Sequence, residues 1–268
     1  MHGIFPLGTN GEAYALSARE KEEILATVID QVKGRVPVYA GTGCITTAET
    51  IRMSKRAEEL GADALSIITP SFAVASQKEL YDHYVAVAKH VNIPIILYNI
   101  PPRTGNKLLP ETVQALCRDV DVIVGAKDSS GDIENLKAYI RLTKELDKDV
   151  AILAGNDGAI LTCLKEGGAG GIAGRANIWP HTIANIYNCL LQAIWKAHSA
   201  HRMPLPYCSR PSSMATRIRS SDRCCPAGTQ CRQVPRSLQL CAGRGSGSHQ
   251  EGAGRCCRQR HGLRGADL

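Results

Sequence analysis

Residues 121–130 read Asp-Val-Ile-Val-Gly-Ala-Lys-Asp-Ser-Ser. The run is apolar from Val122 to Ala126, is entered from an aspartate and leaves through a polar turn. Short apolar runs bounded in this way have the composition of strands buried on both faces, and such strands belong to parallel sheets. Lys127 stands at the end of this strand. Removing an ammonium from water is costly, so a lysine in such a place either reaches solvent at the rim or is kept for chemistry. The same dehydration favours the neutral amine, which is the form that attacks a carbonyl carbon.

Similar runs lie on either side. They are 2–8 (HGIFPLG), 36–42 (VPVYAGT), 63–69 (DALSIIT), 94–99 (PIILYN), 149–155 (DVAILAG) and 169–174 (AGGIAG). Helical signals fall between them. Ser17 with Glu20 is a capping box that predicts a helix through Val32, and Ser76 with Glu79 predicts another through His90. Pro110 suits a first helical turn before Glu111 to Cys117, and Asp132 and Asp157 suit N-caps. Strands recurring every 25 to 35 residues with helices between them are βα units. The expected fold is α/β, a TIM (β/α)8-type barrel. Seven strand runs are present where a closed barrel has eight, so an incomplete barrel is expected, its first βα unit missing and an open gap between the first and last strands.

The expected domain boundary is near residue 196: a partial barrel over 1–196 and an irregular segment over 197–268. Residues 201–268 hold 12 arginines, no lysine and three acids, for a net charge of +9, whereas residues 1–200 carry −2. The chain's net charge of +7 is thus a property of its C-terminal segment and no nucleic-acid footprint of the barrel. Seven of the 11 cysteines also lie there, beside one Ile (Ile218), one Val (Val234) and no Phe. Such a composition buries too little apolar surface to offset chain entropy. The cysteine pairs 224/225 and 256/257 match no metal-ligand spacing. Out-of-frame translation is the expected origin of this segment, in place of the helices that would close a barrel. Without interleaved aromatics, a nucleic-acid or membrane role for it is not expected. No secretory signal or bilayer-length apolar run is visible, and a cytoplasmic location is the expectation.

Barrel enzymes keep their reactive groups where the strands end, and four further stretches lie at or after strand ends here. Gly8-Thr9-Asn10-Gly11-Glu12 is a tight turn whose backbone N–H groups suit a carboxylate. In Tyr98-Asn99-Ile100-Pro101-Pro102-Arg103-Thr104-Gly105, a phenol can relay protons and an arginine can grip a carboxylate with both arms. Gly155-Asn156-Asp157 and Gly171-Ile172-Ala173-Gly174 offer small residues beside which a ligand can approach the backbone. Each has an ordinary alternative as a turn, a packing position or a surface residue.

Taken in order, GTNGE, TPSF, YNIPPRTG, GAKDSSGD, GNDG and GIAGRAN resemble the dihydrodipicolinate synthase / N-acetylneuraminate lyase family, over residues 1 to about 195. The resemblance implies a barrel lysine, here Lys127, that forms a Schiff base with pyruvate or another 2-oxo acid, which then adds to or is released from an aldehyde. It implies Tyr98 and Thr9 as proton carriers. Gly8, Asn10, Gly11 and Glu12, with Ile172, would bind the 2-oxo acid, and Arg103 would hold the carboxylate of the second substrate. No metal or organic cofactor and a homotetramer are implied. Two positions depart from the pattern: Asn10 replaces a threonine, and Phe72 stands where the synthases carry a tyrosine of the relay. Arg103 favours dihydrodipicolinate synthesis, and Phe72 leaves room for a 2-keto-3-deoxy sugar acid or N-acetylneuraminate aldolase. An inactive remnant is the third expectation.

Overall fold

The computed structural model describes residues 2–201, with side chains through residue 193. Six parallel strands form one sheet: β1 (Tyr39–Gly41), β2 (Ala64–Ile68), β3 (Ile95–Asn99), β4 (Ile123–Asp128), β5 (Ala151–Ala154) and β6 (Gly170–Gly171). Their spatial order is their sequence order. That distinguishes a singly wound barrel sheet from a doubly wound one, whose order reverses at a switch point. The sheet with its helices is a partial (β/α) barrel.

Helices α1 (Ala18–Val32), α2 (Thr47–Leu60), α3 (Gln77–Ala88), α4 (Pro101–Thr104), α5 (Pro110–Asp119), α6 (Ile133–Lys144), α7 (Ile160–Lys165) and α8 (Pro180–His201) complete the described chain. Both capping boxes form, each serine accepting from the backbone of the glutamate that in turn accepts from the serine N–H. Asp132 caps α6 through the N–H groups of Glu134 and Asn135. Asp157 does not cap α7. It begins a short 3-10 turn, and its carboxylate accepts from the N–H groups of Gly174 and Arg175 instead. The boundary expected at 196 falls within α8, and the segment from 202 onward lies outside the described residues.

Leu65, Ile67, Ile95 and Leu97 pack without exposure against Leu80, Tyr84, Leu116 and Tyr139 of the helices. Both of these tyrosines keep their hydrogen bonds: Tyr84 donates to Ile67 O at 3.0 Å and Tyr139 to Leu108 O at 2.6 Å. Residues 2–8, expected as a full strand, pair with the sheet through a single bridge, Ile4 to Val38. Pro6 has no N–H to donate, though its carbonyl accepts from Gly41 N at 3.1 Å. Leu7 then turns the backbone at φ 59°, a left-handed conformation that ends the extended run. Among the described residues no ladder joins residues 2–8 to β6, so the sheet is open there. The His2 ring nevertheless lies 5.2 Å from the ring of Tyr187 in α8.

Candidate active site

The register of β3 on β4 sets Tyr98 beside Lys127 and Asn99 beside Asp128. Neighbours in register send their side chains to the same face, and successive residues alternate between faces. Tyr98 and Lys127 thus share one face, while Asn99 and Asp128 share the other. There Asn99 Nδ2 donates to Asp128 Oδ1 at 2.8 Å, and Asp128 also accepts from the N–H and hydroxyl of Ser130. Asn99 Oδ1 accepts in turn from Leu108 N at 3.0 Å. This network ties together the two strand ends that carry Tyr98 and Lys127.

Lys127 is 5 % exposed and Tyr98 4 %. The amine lies 3.7 Å from the centre of the Tyr98 ring and 4.7 Å from that of Phe5. Burial among these groups pushes the lysine down to about 7, so a large share of the amine is neutral near neutral pH. Tyr98 directs its hydroxyl to Thr9 Oγ1 at 3.1 Å. Thr9, Tyr98 and Lys127 therefore converge, although they come from a turn and two strands far apart in the chain.

The other residues singled out in the sequence are distributed around this centre. Gly8 precedes a 3-10 turn over Thr9–Gly11, and Glu12 closes it in a left-handed conformation. Within that turn the N–H of Gly11 goes to Gly8 O and that of Glu12 to Thr9 O, so neither is turned outward. Asn10 is exposed and reaches the opposite side of the opening. A Cβ on Gly174 would come within 2.6 Å of the Asn10 amide nitrogen, so this side chain lies against the 174 backbone. An open cleft of about 430 Å³ follows, lined by Asn10, the 155–158 turn, Gly174 and Arg175. Ile172 is partly buried and donates its N–H to Ala154 O at 2.9 Å. Arg103 sits in the last turn of α4, exposed, its backbone N–H bonded to Ile100 O and its side chain making no hydrogen bond or ion pair among the described residues.

Two features were not legible in the motifs. Phe5 flanks the amine; the signal available was its place three residues before the glycine turn in an otherwise aliphatic run. Asn106 binds the loops together, donating to Pro70 O and Ala73 O and accepting from Ala75 N. Beside it, Thr69 donates to Thr104 Oγ1 at 2.9 Å. The loop so held presents Phe72 at φ 81° and 96 % exposed.

A sequentially ordered parallel sheet, with a buried lysine and a phenol at the carboxyl ends of its central strands, defines a partial (β/α) barrel protein with an amine enclosed beside aromatic rings. The chain belongs to the dihydrodipicolinate synthetase family, whose model matches residues 1–207. It is 42 % identical over 180 residues to a 4-hydroxy-tetrahydrodipicolinate synthase of Thermoanaerobacter sp. (strain X514), covering 67 % of this chain and 60 % of that one. A second, from Thermodesulfovibrio yellowstonii, is 38 % identical over 221 residues, covering 82 % and 73 %. Among solved structures, dihydrodipicolinate synthase from Aquifex aeolicus superposes with a TM-score of 0.69 at 30 % identity, over 73 % of this chain and 66 % of that one. The enzyme from Acinetobacter baumannii complexed with pyruvate does so at 0.66 and 37 %, over 69 % and 62 %. The chain spans about three-fifths of the length of the first of these curated relatives. Among the described residues, no helix is long and apolar enough to cross a membrane.

Proposed function

We propose that this protein is a Schiff-base enzyme that joins pyruvate, or a related 2-oxo acid, to an aldehyde, as 4-hydroxy-tetrahydrodipicolinate synthase does. The observation that carries the reading is the buried, partly neutral amine of Lys127 beside a phenol already bonded to Thr9. The names of the relatives and the pyruvate in one solved neighbour support it.

In this reading Lys127 Nζ attacks the keto carbon, and the carbonyl oxygen takes a proton delivered through Tyr98 and Thr9. Loss of water leaves a protonated imine. That cation withdraws electrons, so a methyl proton departs and an enamine forms. The enamine carbon adds to the aldehyde carbon, and water later releases the product and restores the amine. The 2-oxo acid's carboxylate rests at the 8–12 turn. Gly11 and Glu12 use their N–H groups inside the turn, so the amides of Thr9 and Asn10 are its donors. Ile172 borders the same space, and the Arg103 side chain, without a partner among the described residues, awaits the acidic group of the aldehyde. No metal or organic cofactor is called for by this sequence of steps.

Phe72 supports a second reading, a 2-keto-3-deoxy sugar acid or N-acetylneuraminate aldolase, because it carries no hydroxyl with which to extend a relay. Copies of the chain are proposed to associate in the cytoplasm, as the family resemblance implies a homotetramer; Phe72 and Val74, 96 % and 85 % exposed, would be covered in that assembly. Residues 1–196 are proposed as the catalytic unit. Borohydride added with pyruvate to the full chain, followed by peptide mass spectrometry, is the test. A reduced pyruvyl adduct on Lys127, absent in Lys127→Ala, is the expected result. An adduct on another lysine, or none from folded protein, refutes the reading.

A further inference from the structure

Phe5 belongs to none of the motifs that mark the site, yet its ring is the second surface that the Lys127 amine meets. The nitrogen lies 4.7 Å from the Phe5 centroid and 3.7 Å from that of Tyr98. The two rings stand edge to face, 6.2 Å apart at 76°. The amine thus occupies a corner between two aromatic groups. Phe5 is also wedged against the turn that carries Thr9: a Cβ on Gly8 would come within 2.9 Å of Phe5 Cε1, so the glycine lets the turn close onto the ring.

Two effects of such a corner oppose each other on a simple ammonium. An apolar wall excludes water, which disfavours the charged form. A ring face carries negative quadrupole density, which favours a cation held against it. On the free amine, burial lowers the proton affinity. The balance changes once the nitrogen becomes part of an imine. Amine, ketone and one proton yield the protonated imine and one water: the nitrogen lone pair forms the new C–N bond, the carbonyl oxygen leaves as water, and the nitrogen keeps one hydrogen and the positive charge. This broad, weakly hydrated cation loses less on leaving water than an ammonium does, and it gains the same ring faces.

We propose that Phe5 is a positioning residue of the imine chemistry: with the Tyr98 ring it forms an aromatic corner that keeps water from the free amine and then holds the iminium cation against its face. The inference rests on the reading of Lys127 as the Schiff-base lysine.

The test replaces Phe5 in the full-length chain by leucine and, separately, by phenylalanines bearing one, two or three ring fluorines. Fluorine drains the ring face of electron density while nearly preserving its shape, so folding is retained. Pyruvate is titrated against each protein, and the Lys127 adduct is trapped with borohydride and counted by mass. A cation–ring contact of ordinary strength predicts roughly a three- to thirtyfold weaker pyruvate saturation for Phe5→Leu, a stepwise weakening with each fluorine, and recovery in Phe5→Tyr. The apparent lysine pKa, read from the pH dependence of trapping, should stay low in Phe5→Leu and rise toward the ordinary lysine value in Phe5→Gln, which readmits water. Unchanged saturation across the fluorinated series overturns the proposal while leaving the Lys127 adduct, and hence the function, standing. No adduct on Lys127 in the unsubstituted protein overturns both.

Discussion

Tyr98 turns its ring face to Lys127 and its hydroxyl to Thr9: the amine is 3.7 Å from the ring centre, and the phenol oxygen is 3.1 Å from Thr9 Oγ1. In the proposed reaction one side chain therefore serves as a wall for the nucleophile and as the inner end of a proton path. Its two roles can be separated, because removing the hydroxyl leaves the ring in place.

Tyr98→Phe should accordingly keep the fold and the low proton affinity of Lys127 but lose proton transfer. Turnover is expected to fall about a hundredfold or more, the usual contribution of a positioned acid–base group. Thr9→Val should cost about tenfold, and the double variant no more than Tyr98→Phe alone, since both changes break one bond. Steady-state kinetics on the four proteins check this; additive losses would show two independent paths.

In the proposed function Arg103 bears on substrate choice. Arg103→Ala should raise KM for an aldehyde bearing a carboxylate by about tenfold, the loss of a charge-assisted contact, and leave pyruvate saturation within about twofold. Equal effects on both substrates would remove Arg103 from the aldehyde's site.

Lys127 should also cost stability. Its folded value, about 7, lies below the ordinary 10.5, so between these pH values the unfolded chain holds a proton that the folded chain has given up. Stability then rises with pH across that window, and the penalty is greatest at and below neutrality. Lys127→Met should be more stable than the parent by about 3 kcal/mol at neutral pH, with the advantage shrinking by about pH 9.5. Urea unfolding at both pH values measures it; a gain that does not depend on pH would point to packing instead.

His83 is predicted to make the fold acid-sensitive. Burial pushes its imidazole down to about 4, its Nδ1 is 2.9 Å from Thr47 Oγ1, and its Nε2 has no hydrogen-bond partner among the described residues. The unfolded chain takes up this proton near the ordinary 6.5, so stability is lost as pH falls from there toward 4. His83→Leu should reduce that loss by about 1–2 kcal/mol, seen as a shallower slope of unfolding free energy against pH. An unaltered slope would assign the acid sensitivity to other groups.

By itself the sequence determined the parallel βα order, both capping boxes and the place of Lys127 at the end of an apolar strand. These features are local: a cap is satisfied within four residues, and burial on both faces shows in the composition of a single strand. Only the tertiary structure decided that residues 2–8 form a single ladder bridge with the sheet and turn at Leu7, and that Asp157 serves the backbone of Gly174 and Arg175 rather than a helix end. It alone placed Thr9 against Tyr98, 89 residues away in the chain, and Phe5 against Lys127. Such contacts depend on strand register and loop packing. A neighbouring strand fixes which face a side chain shares and what it meets there, and no short stretch of sequence contains that neighbour.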